Sequence, residues 1–166
     1  VGRAQPSAAK FFPDSTVVYA ELDDPDQLVE TIFDHPLRKK IEALPPYKMA
    51  VQTPDYREFE NGLRFVEMHF GMSWRQAIAT FADKGAAIGF DAESEGVAII
   101  IHGKDPESMK LFRDKLIGLA GFGEGGRDVE SGEYRGITAH EINRTKFAVK
   151  GDRMVMTNSS DLGKAV

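Results

Sequence analysis

Histidine is the side chain best suited to move protons at neutral pH, and this chain has four of them, His35, His69, His102 and His140, in four different segments. Cysteine is absent, which removes thiolate nucleophiles, disulfides and cysteine-ligated zinc together. No G-x-S-x-G elbow presents a serine to a base. His140-Glu141 opens like the zincin motif H-E-x-x-H, but its fifth position is Arg144, and the segment alternates as a strand, where residues four apart do not converge as they do on a helix. Asp91-Ala-Glu93-Ser-Glu95-Gly96 starts like a calcium loop, with His102 where a bidentate Glu is needed and no flanking helix. A solvated hairpin turn accounts for it better.

Two further patterns fail on context. Gly121, Gly123 and Gly126 spell G-x-G-x-x-G, yet they follow a helix and open a polar loop, so no helix N-terminus stands ready for a pyrophosphate. Asp23, Asp24 and Asp26 could gather a cation, but one of them caps a helix and the others suit a helix N-terminus. No metal and no cofactor is therefore expected. Trp74 with Phe70, Phe81 and Tyr56 reads as core at helical spacing before it reads as a ligand pocket. Asn143-Arg-Thr145 and Asn158-Ser-Ser160 fit the glycosylation pattern and are discounted. The polar groups left over for a small-ligand or hydrolase-type site are His69, His102 and Asp91, in a cleft between a helical insertion and the sheet.

Composition narrows the partners. The chain has 166 residues, 42% of them hydrophobic, with 26 acids against 21 Lys plus Arg and a net charge of −5. That length closes one core. The acidic balance supplies no cationic surplus for a phosphate backbone, so nucleic acid is not an expected partner. The longest clean apolar run is Val97 to Ile101, far short of the roughly 18 residues that a spanning helix needs. The chain begins with Val1, and Asp161 to Val166 reads as the first turns of a helix behind Ser160. A piece of a longer protein is the expectation.

The elements that must position any site come in two matching units: an apolar strand, Asp-Pro-acid, then an amphipathic helix. Val17 to Leu22 leads into Asp24-Pro25-Asp26, and Val97 to Ile101 into Asp105-Pro106-Glu107. Asp caps orphan N–H groups, Pro takes the first helical position, and the acid suits the positive helix end. Between the units, helices are expected from Leu37 to Leu44, ended by Pro45-Pro46, behind Thr53-Pro54, and behind Ser73 with Gln76 as a capping box. Ala86 to Asp91 and Val97 to His102 form a hairpin, and Pro106 to Ala120 a long helix. Tyr134 to Ile142, Lys146 to Lys150 and Arg153 to Asn158 form a meander. The fold class is α+β: a mostly antiparallel sheet of about six strands with helices mainly on one face. It has a ferredoxin-like β-α-β-β-α-β start, a helical insertion at about 36–83 and a C-terminal β-meander. Residues 1–166 read as one domain.

Ser131-Gly-Glu-Tyr-Arg-Gly-Ile137, Lys146-Phe-Ala-Val-Lys-Gly-Asp152, Met154-Val-Met-Thr-Asn158 and Asp161-Leu-Gly-Lys-Ala-Val166 together resemble uncharacterised exported bacterial proteins that carry a domain of unknown function (DUF3352-like). The start Phe12-Pro-Asp-Ser-Thr-Val-Val-Tyr-Ala-Glu21 is similar to the opening of that group, which lies soon after a signal peptide. The resemblance implies an extracytoplasmic setting, in the periplasm or cell envelope, a repeated architecture and no established activity. Its motifs are turns and strands, not catalytic signatures.

Together these readings point to a non-catalytic binding or scaffold domain of a bacterial envelope or exported protein, with an unknown macromolecule or a second copy as partner. The competing reading is the small-ligand or enzyme site at His69, His102 and Asp91. Homodimer pairing is expected at the edge of the meander Tyr134 to Asn158, where Met154, Met156 or their neighbours would lie exposed.

Overall fold

The computed structural model describes residues 7–121 and 128–166, so the glycines at 123 and 126 lie outside the described residues. Its centre is one seven-stranded sheet in the order β1-β2-β3-β7-β6-β5-β4, every neighbouring pair antiparallel. The strands are β1 (Thr16–Leu22), β2 (Ala86–Asp91), β3 (Gly96–His102), β4 (Glu130–Tyr134), β5 (Ile137–Ile142), β6 (Thr145–Lys150) and β7 (Arg153–Thr157). Seven strands replace the expected six because Arg135 and Gly136 both take positive φ, a tight hairpin turn that folds Glu130–Tyr134 back on Ile137–Ile142. The ferredoxin-like start is not formed. A split β-α-β unit needs two parallel strands with a third between them, whereas here β1 lies beside β2 at one edge and β4 at the other.

The helices are α1 (Pro25–Phe33), α2 (Leu37–Glu42), α3 (Pro45–Ala50), α4 (Pro54–Phe70), α5 (Trp74–Phe81), α6 (Pro106–Ala120) and α7 (Ser160–Ala165). Their starts follow the sequence signals. Asp24 and Asp105 accept from the N–H groups of Gln27 and Ser108 at 2.8 and 2.7 Å. Ser73 and Gln76 close the capping box in both directions, and Gly71 ends α4 in the left-handed region at φ 72°. Pro45 behaves differently from the expectation. It opens α3 at the first helical position, where its missing N–H costs nothing.

Register decides the two faces. On the first, Ile99, Met156 and Phe147 stand in one row across β3, β7 and β6, and Ile101, Met154 and Val149 in the next. Phe70, Phe81 and Met109 from α4, α5 and α6 close over Phe147 and Met154 as the main core. Phe81 and Phe112 stack at 4.7 Å between centroids, 12° apart in plane. Met154 is therefore fully buried on a central strand, which corrects the expectation of an exposed methionine edge. The second face is not bare either. A 3-10 turn at Ala8–Phe11 and the helix α7 lie on it, and Ala98 and Ile100 beneath them are buried. Leu162 of α7 is buried, so the final turns already cover β3 and β7.

Cover runs out on the first face at β1 and β2. Val18 stands opposite Phe90, Ala20 opposite Ile88 and Leu22 opposite Ala86, and Val18, Leu22, Ile88 and Phe90 are all exposed.

Candidate functional site

The three candidate residues do not share a site. His69 sits near the end of α4, where its Nε2 donates to the Lys115 carbonyl at 2.9 Å while Lys115 Nζ donates to the His69 carbonyl at 2.8 Å. This exchange staples α4 to α6. Asp91 closes β2 and accepts from the Ser94 N–H at 2.8 Å and the Ser94 hydroxyl at 2.5 Å. Hydrogen bonds from Ser15 and Ser94 hold its carboxyl below the usual carboxylate range. Its work is to hold the β2–β3 turn, as an Asx residue does. His102 lies at the far end of the same hairpin, since Asp91 pairs with Gly96 while Ala86 pairs with Ile101. At about 3.4 Å per residue, roughly 20 Å of strand separates Asp91 from His102.

His102 does belong to a cluster, on the second face. Its ring meets Phe11 edge-on at 6.3 Å, and the Arg153 guanidinium stands 4.3 Å over the same Phe11 ring. Burial, then the charge of Arg153, holds His102 below the usual imidazole range, and its Nε2 is buried without a hydrogen-bond partner. Beside it Lys84 Nζ binds Asp152 at 2.8 Å. Glu21 is drawn in by the Ala8 N–H at 2.7 Å and by the Ser7 and Tyr19 hydroxyls at 2.6 Å each. Burial pushes the Glu21 carboxyl up, but these three donors outweigh it and leave it below the usual range. The cluster fastens the N-terminal turn to the sheet.

One nucleophile and base do touch, which the sequence did not disclose. Ser131 Oγ and His140 Nδ1 are 2.8 Å apart because β4 and β5 pair these residues directly. Pattern reading missed the pair because β4 is polar throughout and reads as loop. A triad also needs a group that orients the imidazole and donors for an oxyanion. Around His140 stand the Phe147 ring at 5.5 Å and the opposed charges of Arg113 and Asp114. Ser131 and His140 act as a cross-strand polar pair.

A concavity of about 430 Å³ lies along β4–β7 beside α7. Gly132, Ala139, Ala148 and Val155 follow one another across four strands and supply its shallow apolar floor. Lys164 reaches towards the Tyr134 ring at 5.9 Å across it. Alkyl groups and backbone line most of this hollow, and among the described residues no group of three or more His, Asp or Glu could hold a metal. No described helix is long and apolar enough to cross a membrane. Comparison with family models, with curated proteins and with solved structures yields no match.

The largest departure from ordinary packing is elsewhere. From Glu30 to His69 no residue is buried, although the segment carries Ile32, Leu37, Ile41, Leu44, Met49 and Phe59, all exposed.

Proposed function

We propose that this chain is a binding or scaffold domain, whose helical insertion docks a macromolecular partner, in an exported bacterial protein. One observation carries the reading: the forty residues from Glu30 to His69 hold helices α2, α3 and most of α4 with no buried side chain among them. Helices of six residues are not stable on propensity alone and draw their stability from an apolar face packed against something. Here the apolar faces exist, and among the described residues nothing covers them. Large exposed apolar surface marks interaction sites. The extracytoplasmic setting is supported by the likeness of the strands and turns at 12–21 and 131–166 to exported proteins.

Site-specific photocrosslinking in the native host tests the reading. A benzophenone side chain at Phe59 or Met68 should give a discrete adduct, and one at Glu93, on the opposite hairpin turn, should give none. Equal labelling from all three positions, or no adduct from the insertion, would overturn it. Recovery of the protein in the cytoplasm would refute the export half alone.

A further inference from the structure

We propose that β1 pairs with β1 of a second copy of this chain, antiparallel about a two-fold axis, so that two seven-stranded sheets join into one. Among the described residues the sheet ends at β1, and every residue from Val17 to Leu22 is exposed. Unpaired strand edges template pairing unless charge, proline or a bulge guards them. β1 has one bulge, at its first residues, and a single charge, Glu21, already held by Ser7, Ala8 and Tyr19 on the face that the N-terminal turn covers. On the other face it presents only Val18, Ala20 and Leu22.

The position of that one charge selects a like partner. In the two-fold register about Tyr19, Tyr19 meets Tyr19 of the second copy and Val18 meets Ala20, while the bulge at Thr16 and Val17 leaves Glu21 beyond the regular pairing and opposite no second carboxylate. Shifting the axis to Ala20 places Glu21 opposite Tyr19. Carboxylates come face to face only with the axis on Glu21 itself, which leaves little overlap. A two-fold perpendicular to the sheet also sets the exposed rows of Val18 with Phe90 and Ala20 with Ile88 beside their own copies, so apolar surface continues across the joint.

The opposite edge explains why assembly should stop at two. β4 reads Glu130, Ser131, Gly132, Glu133, Tyr134, with the two carboxylates on opposite faces and no aliphatic side chain. Any strand arriving there meets a charge on either side. One open edge and one guarded edge give an isologous, closed dimer instead of a growing sheet.

The test exploits the absence of cysteine. Tyr19→Cys should form an intermolecular disulfide under mild oxidation, because opposed residues of an antiparallel pair lie about 4.5–5.5 Å apart at Cα, within disulfide range. Ser131→Cys on β4 should not. Light scattering over a micromolar to millimolar series should show the wild-type mass rising towards twice the monomer, and Val18→Lys, at an exposed position, should hold it at the monomer. Circular dichroism checks that each variant is folded; if Val18→Lys is not, Val17→Lys takes its place. A strict monomer throughout with no Tyr19→Cys disulfide overturns the proposal, as does a dimer that forms its disulfide through Ser131→Cys. Val18→Lys should leave photocrosslinking from Phe59 unchanged, so the fate of the insertion's partner and that of the β1 pair are read separately.

Discussion

Methionine appears in both halves of this molecule with opposite fates. Met109 and Met154, between α6 and the centre of the sheet, are wholly inaccessible, whereas Met49 and Met68, in the helical insertion, are 64% and 75% exposed. The residues are chemically identical and their segments are comparably apolar. What differs is whether a second layer exists. At β3, β7 and β6 helices close one face while the N-terminal turn and α7 close the other, and each strand has a neighbour on both sides. The stretch from Glu30 to His69 has α5 and α6 to lean on only near its two ends, through the end of α1 and the last turn of α4. Apolarity in a sequence thus marks surface that wants cover, and only the topology says whether the chain provides it.

Truncating the same side chain in the core and in the insertion should give the most unequal costs. Met154→Ala should lower unfolding stability by about 2–5 kcal/mol through lost transfer energy and a cavity. Met68→Ala should stay within about 0.5 kcal/mol of wild type, as surface substitutions do. Urea titration followed by tyrosine and tryptophan fluorescence measures both. Similar losses would mean that the insertion is packed against something in solution, a direct sign of a bound partner or a second copy.

Gly85 sharpens the same contrast at the joint between insertion and sheet. It takes φ +109° just before β2, and a Cβ there would stand 2.7 Å from the Leu22 carbonyl oxygen. Side chains are strained in that region, and the obstacle is backbone, which cannot swing away. Gly85→Ala should cost more than about 1 kcal/mol and loosen the pairing of Leu22 with Ala86. Gly62, in the middle of α4 with open space around its Cα, should gain stability on change to Ala, by up to about 1 kcal/mol. Thermal melts of the two variants should move in opposite directions.

How far the sequence reaches can be read from these same elements. Caps were legible because their physics is local: Asp24, Thr53, Ser73 and Asp105 each accept from an N–H within three residues. The hairpin of β2 and β3 was legible from its alternation and acidic turn. β4 was not, since Glu130–Tyr134 has no alternating apolar face and owes its strand conformation to pairing with β5. Strand order was not legible either, because β3 meets β7 only after a helix and three more strands have intervened. The three candidate site residues lie apart for a related reason. His69, Asp91 and His102 are held by partners in the Lys115 carbonyl, Ser94 and the Phe11 ring, two of which are distant in sequence and none of which forms a motif.

A smaller effect separates the regions by pH. His102 and His140, both on the sheet, are held below the usual imidazole range by burial first and by Arg153 and Arg113 second. The unfolded chain takes up those protons near pH 6.5, before the folded chain does, so stability should fall as pH drops from about 7 towards 5. The carboxyls of Asp91, Asp105 and Asp152 are held low chiefly by Ser15, the Ser108 N–H and Lys84. Their contribution should persist to about pH 4 and disappear below it. Urea midpoints against pH should therefore show two descending arms, and His102→Gln should flatten the upper one. An unchanged upper arm in that variant would assign it to other groups.

The smallest expected effect lies where the two regions meet. Arg75, in the first turn of α5, binds the Asp34 carboxylate behind α1 at 3.1 Å and also lies 5.3 Å from the Phe33 ring and 5.5 Å from the Trp74 ring. Phe33 and Trp74 themselves meet edge-on at 4.9 Å. Both charged partners are more than a third exposed, so the ion pair is screened and Asp34→Asn should cost no more than about 0.5 kcal/mol. Contact of a planar cation with aromatic faces is less sensitive to salt and contributes about 0.5–1 kcal/mol at exposed sites. Arg75→Ala should therefore cost more than Asp34→Asn, and 1 M salt should erase the second difference while leaving the first. Hydrogen exchange gives the regional readout: in Arg75→Ala, protection should drop in α1 before it drops in β3 or β7. Equal costs for the two variants, both erased by salt, would show that the junction is held by charge alone and that the rings merely fill space beneath it.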